Sequence, residues 1–412
     1  MIAGSPYTPH MPPLPSYETA LDSVLPNVPQ LPGTDDAGLA EAMGRLLATP
    51  IRSDRDLPPF DRAALDGYAM RHTDLLESVP LPVSGTIPAG RPGDIEVPAG
   101  SCVAIATGAP VPPHLDTVVP HERTDRGDRD GRPVRFEAAD IARGNAIHPR
   151  GADAGEGDVL VEAGTRITPA HLGLAATVGL DRLPVTPRPV IHLLTSGDEV
   201  VDRNVAPLPH QVRNSNGPML AGLLTGMDAI LEAHHHMPDD PDEVREALGA
   251  ALETADVVVT VGGISAGDRD FVPPMLESLG VDTLLAGAAI QPGRPIRVGR
   301  HESGTMVVSL PGNPVSVLAT ACLFLWPILR TMQGCTDPLP WNTTTLAREV
   351  RPNRSRTQFR PTSIDSSGHA VVPDWQGSGD LAHTATTDGL VALPMQDDPV
   401  PARTQVPFLA WP

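Results

Sequence analysis

The stretch Asp256-Val257-Val258-Val259-Thr260-Val261, followed at once by Gly262-Gly263-Ile264-Ser265-Ala266-Gly267-Asp268-Arg269-Asp270, decides how the chain folds. From Val257 to Val261 the run is β-branched throughout, with Thr260 its one polar member, and it reads as a strand of a parallel sheet. The glycines behind it let the backbone approach a ligand closely, and carboxylates follow. The same unit recurs outward in both directions. Residues 189–194 read as a strand ending in Thr195-Ser196-Gly197-Asp198-Glu199, and 305–310 as one ending in Pro311-Gly312-Asn313-Pro314-Val315-Ser316. A strand at 229–233 and helices at 217–225, 241–254, 272–279 and 313–332 complete an alternating pattern. That alternation predicts a doubly wound, mostly parallel α/β domain over 187–333. The carboxyl ends of such strands share one edge of the sheet, where ligands bind.

On either side the rhythm changes. Pro-rich residues 1–15 read as a disordered tail, and 16–53 with 146–186 as a helical and mixed linking domain. Asp36 is the expected cap of a helix at 37–47. Residues 54–145 read as an inserted β-rich module with strands at 82–87, 101–106, 117–120 and 133–136. Within it the sign-alternating segment 123–132 is expected to be a solvated hairpin tip. Residues 334–412 return to short β segments, a small C-terminal β domain. The expected fold class is therefore α/β plus β modules in a multi-domain chain.

Composition excludes several functions. Among 412 residues the 30 basic side chains are all Arg, with no Lys, against 50 Asp+Glu and a formal charge of -20. The absence of lysine removes a Walker-type phosphate loop, a pyridoxal Schiff base and any lysine nucleophile. The acidic balance and an aromatic content of 3% argue against nucleic-acid binding. Cys102, Cys322 and Cys335 form neither a disulfide framework nor a zinc pattern, as expected in a reducing compartment. The apolar run 315–329 is short and carries Pro327, so no membrane segment is expected. These features describe a soluble cytoplasmic protein.

Each of the three loops has a physical rationale for an anion. Glycines open the backbone, and the helix start after Pro311-Gly312-Asn313-Pro314 offers N–H donors. Glu199, Asp268 and Asp270 would repel a phosphate unless a divalent cation lay between them, which points to Mg²⁺-assisted phosphoryl chemistry. Asp239-Asp240 reads first as a helix-starting acidic pair. Consecutive His234, His235 and His236 alternate faces if extended, so they read as a strand-end surface cluster rather than a metal site. Cys322 reads as core.

These residues resemble the MoeA family, the molybdopterin molybdenumtransferases that share a catalytic unit with gephyrin. The resemblance rests on Pro58-Pro59-Phe60-Asp61 followed by Asp66-Gly67-Tyr68-Ala69, then Thr107-Gly108-Ala109-Pro110 with Asp116 and Glu122. It continues through Arg150-Gly151-Ala152-Asp153, Gly197-Asp198-Glu199, Ser215-Asn216, the 262–270 loop, Pro292-Gly293-Arg294-Pro295 and 311–316, in order and at comparable spacing. It implies a homodimer with the active site between one subunit's α/β domain and the other's β module. The implied reaction converts adenylylated molybdopterin and molybdate into molybdenum cofactor and AMP, with Mg²⁺ as cofactor. Implied catalytic residues are Asp66, Thr107, Glu199, Asp240 and Asp270, with Glu199, Asp240 and Asp270 also holding the metal. Implied substrate-binding residues are Asp153, Gly197, Gly262, Gly263, Ser265 and Arg294, with Pro311, Gly312, Asn313, Pro314 and Ser316 around the pterin and phosphate. Arg360 and Ser378 resemble positions used near molybdate. A molybdopterin adenylyltransferase and molybdenum-enzyme clients are the implied protein partners.

Four positions depart from the family pattern. Gln291 and Arg294 stand where two lysines are usual, Asn214 replaces an Asp, and Ala63 replaces a Ser. Arg294 retains charge and a forked donor, whereas Gln291 does not. The alternative readings are a catalytically weakened paralogue acting as a molybdopterin-binding scaffold, and a related adenylyltransferase, which would resemble the α/β domain alone.

Overall fold

A computed structural model describes residues 13–137, 140–264 and 271–412. The chain forms two compact units, one joining the segment up to Asp35 with Thr186–Pro412 and the other spanning Asp36–Val185.

In the first unit a six-stranded sheet runs in the order Ile230–Met237, Val190–Ser196, Val257–Val261, Met306–Leu310, Arg297–His301, Val281–Ala286. The first four strands are parallel, and Arg297–His301 runs antiparallel to both its neighbours, so Val281–Ala286 points the same way as the first four. Val257–Val261 is central and buried at every position, its one polar side chain, Thr260, included. From Val190–Ser196 the chain adds Ile230–Met237 on one side and Val257–Val261 on the other. The topological switch point therefore lies between Val190–Ser196 and Val257–Val261. The strand expected at 229–233 continues through all three histidines to Met237.

The helical segment Pro314–Met332 is 19 residues long and apolar enough to match a bilayer, yet 94% of its most apolar 18-residue stretch is buried inside the protein. Its middle, Ala321–Leu325, is π-helical, and Pro327 follows without an N–H to give. The carbonyl four residues before that proline, Leu323, accepts instead from the Tyr17 hydroxyl at 3.2 Å. Burial pushes the Tyr17 pKa far above its ordinary value, which keeps it a donor. The Tyr17 ring also stands edge-on to Phe324 and Phe359, at 5.7 and 5.2 Å. The helical region expected over 16–53 is thus divided, its first helix, Tyr17–Val24, belonging to the α/β core. At the start of the described chain, Pro15 accepts a hydrogen bond from Ala289 N at 2.8 Å. The strands Thr357–Ile364, His369–Val371, Asn342–Leu346, Gln405–Ala410 and Gly389–Leu393 close on themselves as a small barrel.

The second unit contains a four-stranded sheet ordered Val83–Ile87, Cys102–Ile105, Gly67–Met70, Thr117–Pro120. A separate core joins Ala37, Leu47 and Ile51 to Val161, Ile167, Leu183 and Val185. The helix expected at 37–47 shrinks to Leu39–Ala42, because Gly44 turns the chain at φ +79°. Asp36, its expected cap, pairs instead with Arg182 at 2.6 Å. The strand expected at 133–136 is reduced to single bridges, Val134 to Leu81 and Phe136 to Thr124. The expected solvated tip at 123–132 is pinned down, since buried Tyr68 donates its hydroxyl to Asp128.

Candidate active site

Parallel register brings the ends of Val190–Ser196, Val257–Val261 and Met306–Leu310 to one edge, where their loops surround a cavity of about 700 Å³. The loops touch backbone to backbone. Gly262 adopts φ +90°, and a Cβ there would lie 2.9 Å from Ser196 Oγ and 3.2 Å from the Ser196 carbonyl oxygen. A Cβ on Gly312 would in turn lie 3.7 Å from Gly262 Cα. Gly197, at φ +124°, is the ledge beneath Glu199, since a Cβ on it would meet Glu199 Oε2 at 2.9 Å. Asn216 fastens the third loop by donating from Nδ2 to the Gly312 carbonyl at 2.8 Å, leaving its buried Oδ1 unpartnered at the cavity wall.

Gly197, Glu199, Gly262, Gly263, Pro311, Gly312, Asn313 and Pro314 line this cavity. Ser378 does not line it but braces it, accepting from Asn313 Nδ2 at 2.9 Å through its hydroxyl and from Val315 N at 3.0 Å through its carbonyl. The expected free N–H donors at this helix start are accordingly fewer, because Pro314 has none and that of Val315 is occupied. Ser316 is buried in the first turn behind them. Arg294 is outside the lining, its carbonyl accepting from Ala288 N at 3.1 Å. Asp240 caps the helix Pro241–Thr254, its Oδ1 accepting from Asp242 N and Glu243 N at 3.0 and 3.1 Å. Its neighbour Asp239 faces the cavity instead. Ser265 and Asp270 lie outside the described residues.

Sequence reasoning overlooked Arg213, the one arginine among the described residues lining the cavity. Its Nε donates to the Val205 carbonyl at 3.1 Å, which orients the fork. No sequence signal separates it from the other arginines.

In the barrel, Arg360 lies 4.9 Å over the Trp375 ring and donates to the Pro373 carbonyl at 3.0 Å. Desolvation draws its pKa below the ordinary guanidinium value. Gln291 Oε1 accepts from Asn353 Nδ2 at 2.5 Å and Gln358 Nε2 at 3.4 Å, so its amide N–H₂ is the end left to present. In the second unit, Asp66 accepts from Thr107 N and Oγ1 at 2.7 and 3.0 Å. Those bonds, the backbone one foremost, hold its carboxyl below the ordinary range. Burial likewise lowers the pKa of the adjacent His121, assisted by Arg126. Asp153 is engaged by His148 at 2.9 Å and Arg62 at 3.9 Å.

Glu199 and Asp239 are hard oxygen donors in the same cavity, although among the described residues no group of three or more His, Cys, Asp or Glu is arranged to hold a metal ion. Magnesium commonly binds through one or two carboxylates plus substrate phosphates, so this donor set fits it without a protein cage.

An open α/β sheet with a glycine-lined, acidic cavity at its switch point, joined to a β barrel and a separate β-rich unit, defines a multi-domain α/β protein with an anion cradle. Residues 15–179 match the MoeA N-terminal region (domain I and II), and 192–331 match the family described as probable molybdopterin binding domain. Molybdopterin molybdenumtransferase 2 of Mycobacterium tuberculosis (strain CDC 1551 / Oshkosh) is 34% identical over 382 residues, covering 89% of this chain and 93% of its own. Molybdopterin molybdenumtransferase of Synechococcus elongatus is 33% identical over 402 residues, covering 95% and 98%. The crystal structure of the molybdopterin biosynthesis moeA protein from Pyrococcus horikoshii OT3 superposes with a TM-score of 0.83 at 26% identity, covering 97% of this chain and 100% of that one. The chain belongs to the MoeA family.

Proposed function

We propose that this protein is a molybdopterin molybdenumtransferase, moving molybdenum from molybdate to the dithiolene of adenylylated molybdopterin with release of AMP. The observation that carries the reading is the convergence of three glycine-opened strand ends and two carboxylates on one cavity of about 700 Å³. Both substrates are anions, so the site must overcome their repulsion at close range. The Gly263 backbone N–H, with the Arg213 fork, would hold the phosphates, that of Gly262 being taken by the Leu310 carbonyl at 3.1 Å. Asn216 Oδ1 would accept from a ring or sugar donor. Such positioning and charge stabilisation is what phosphoryl chemistry requires of a protein.

Glu199 and Asp270, with Asp240 through the oxygen its helix cap leaves free, would hold Mg²⁺, with Asp239 beside them. Bound there, the ion would neutralise charge on the departing phosphate. Ser265 would contribute a hydroxyl to the same loop, and Arg294, Ser316 and Arg360 would support or meet the oxyanions. Asp66, Thr107 and Asp153 would act from the second unit's motifs, and the working assembly would be a homodimer. Three free, buried cysteines fit a reducing cytoplasm.

The test is direct. Purified protein is incubated with adenylylated molybdopterin, Mg²⁺ and molybdate, while AMP and active cofactor are followed. Molybdate-dependent AMP release with cofactor formation is the expected result. Tight pterin binding without turnover at millimolar molybdate would instead select the scaffold reading that Gln291 and Asn214 motivate.

A further inference from the structure

The three consecutive histidines have no place in the reading above, yet two of them are wired to the cavity. His236 Nε2 is 3.2 Å from the Gly197 carbonyl oxygen, and its Nδ1 is 3.1 Å from Thr195 Oγ1. A carbonyl oxygen only accepts, so Nε2 carries a proton, and in that tautomer Nδ1 accepts from the Thr195 hydroxyl. Thr195 Oγ1 then accepts from Asn214 Nδ2 at 3.1 Å and from His234 Nε2 at 3.3 Å. Asn214 Oδ1 takes the Gly217 N–H at 3.0 Å, which settles the orientation of its amide. His235 alternates to the opposite face of the strand, in a second cavity with His192 and Glu243 that His236 also borders.

We propose that His236 is a positioning residue for the reaction, clamping the Gly197 carbonyl and thereby the ledge on which the Glu199 carboxylate rests. Gly197 is held at several points, the Val200 N–H reaching its carbonyl at 3.0 Å within the turn. Its carbonyl is bound by His236, and its α-carbon lies so close under Glu199 that a single methyl there would touch the carboxylate. Thr195, buried at the end of its strand, fixes the ring that does the clamping. The extension of Ile230–Met237 past its expected end places His236 in register with Thr195, one residue from the loop. Outer groups that orient a working carboxylate or metal ligand commonly alter activity about 10–100-fold when removed.

The inference rests on Glu199 acting in the cavity, and the experiment separates the two. The full-length variants His236→Ala, His236→Gln, His235→Ala and Glu199→Gln are compared by kcat and by KM for adenylylated molybdopterin. His236→Ala is expected to lower kcat about tenfold with KM nearly unchanged. His236→Gln, whose amide N–H reaches the same carbonyl, restores most of kcat, and His235→Ala behaves as the parent. Amide hydrogen exchange across 196–201 reads the clamp without turnover, and is faster in His236→Ala but not in His236→Gln. Parental kcat and parental exchange in His236→Ala would overturn the proposal, as would equal losses in His235→Ala. If Glu199→Gln keeps full turnover, the role of Glu199 fails, and the positioning role of His236 with it. If Glu199→Gln abolishes turnover while His236→Ala does not, the positioning role alone fails.

Discussion

Gly262 and Gly312 face each other across the cavity floor, yet a methyl group should act differently at each. At Gly262 the backbone is left-handed, φ +90°, which costs a side chain about 1–3 kcal/mol. The new Cβ would also press on Ser196 Oγ at 2.9 Å and on the Ser196 carbonyl at 3.2 Å, and the carbonyl has no rotamer by which to move away. Overpacking of that kind adds about 1–3 kcal/mol, so Gly262→Ala should destabilise the α/β unit by roughly 3 kcal/mol. At about 2–4 °C per kcal/mol for a unit of this size, the melting midpoint falls by about 6–12 °C. At Gly312 the only neighbour within 4 Å among the described residues is Gly262 Cα, at an ordinary 3.7 Å, so Gly312→Ala should melt within about 2 °C of the parent. Its methyl nevertheless enters space assigned to the substrate's anion, and turnover should fall at least about tenfold, equivalent to about 1.4 kcal/mol. Calorimetric melts and steady-state AMP release on both variants measure the contrast. An unchanged melt for Gly262→Ala would refute the close backbone approach as a structural requirement. Parental kinetics for Gly312→Ala would refute the placement of the ligand.

Four further outcomes are expected. Tyr17→Phe leaves the Leu323 carbonyl without its donor beside Pro327 and should cost about 1–2 kcal/mol in urea denaturation of the α/β unit. Arg213→Ala should raise KM for adenylylated molybdopterin about tenfold while leaving the melt unchanged, with Arg213→Lys recovering only part because the fork is lost. His121 has a folded pKa below 6.5, so the unfolded chain takes up the proton first and stability falls as pH drops through 6.5 toward the folded value. Denaturation midpoints of the second unit across that window should show the loss in the parent and not in His121→Gln. Gln291→Lys removes the acceptor of Asn353 and Gln358, and should lower the melt while reducing KM for molybdate if position 291 presents a donor to the oxyanion.

The sequence disclosed what depends on local pattern. Val257–Val261 was legible as a strand of the parallel sheet, and Pro241–Thr254 has its start in its residues, with Asp240 as cap and Pro241 in the first turn. The glycine loops after each strand were equally legible, because a parallel sheet sends its carboxyl ends to one edge. Other features depend on partners distant in sequence. The antiparallel pair Val281–Ala286 and Arg297–His301 alternates poorly and is held by its neighbours. The 37–47 segment carries helical spacing but is broken by Gly44. Arg213 faces the cavity because the short strand Val212–Arg213 pairs with Val200–Val201, and nothing within either pair of residues announces that. Ser378 reaches Asn313 across 65 residues of intervening chain.

A chain without lysine places a specific demand on an anion site. A lysine ammonium is a mobile point charge that can follow its ligand, whereas arginine forks, amides and backbone N–H groups act only along fixed directions. Each such donor must therefore be held by something else, and the holders are visible here. The Val205 carbonyl orients Arg213, Trp375 and Pro373 orient Arg360, Asn353 and Gln358 orient Gln291, and Ser378 orients Asn313. The carboxylate side follows the same rule, with Gly197 beneath Glu199 and His236 holding Gly197. On the proposed function, recognition would be distributed over the residues that aim the donors as much as over the donors themselves. Substituting an aiming residue should move kcat or KM without removing any group that touches the substrate.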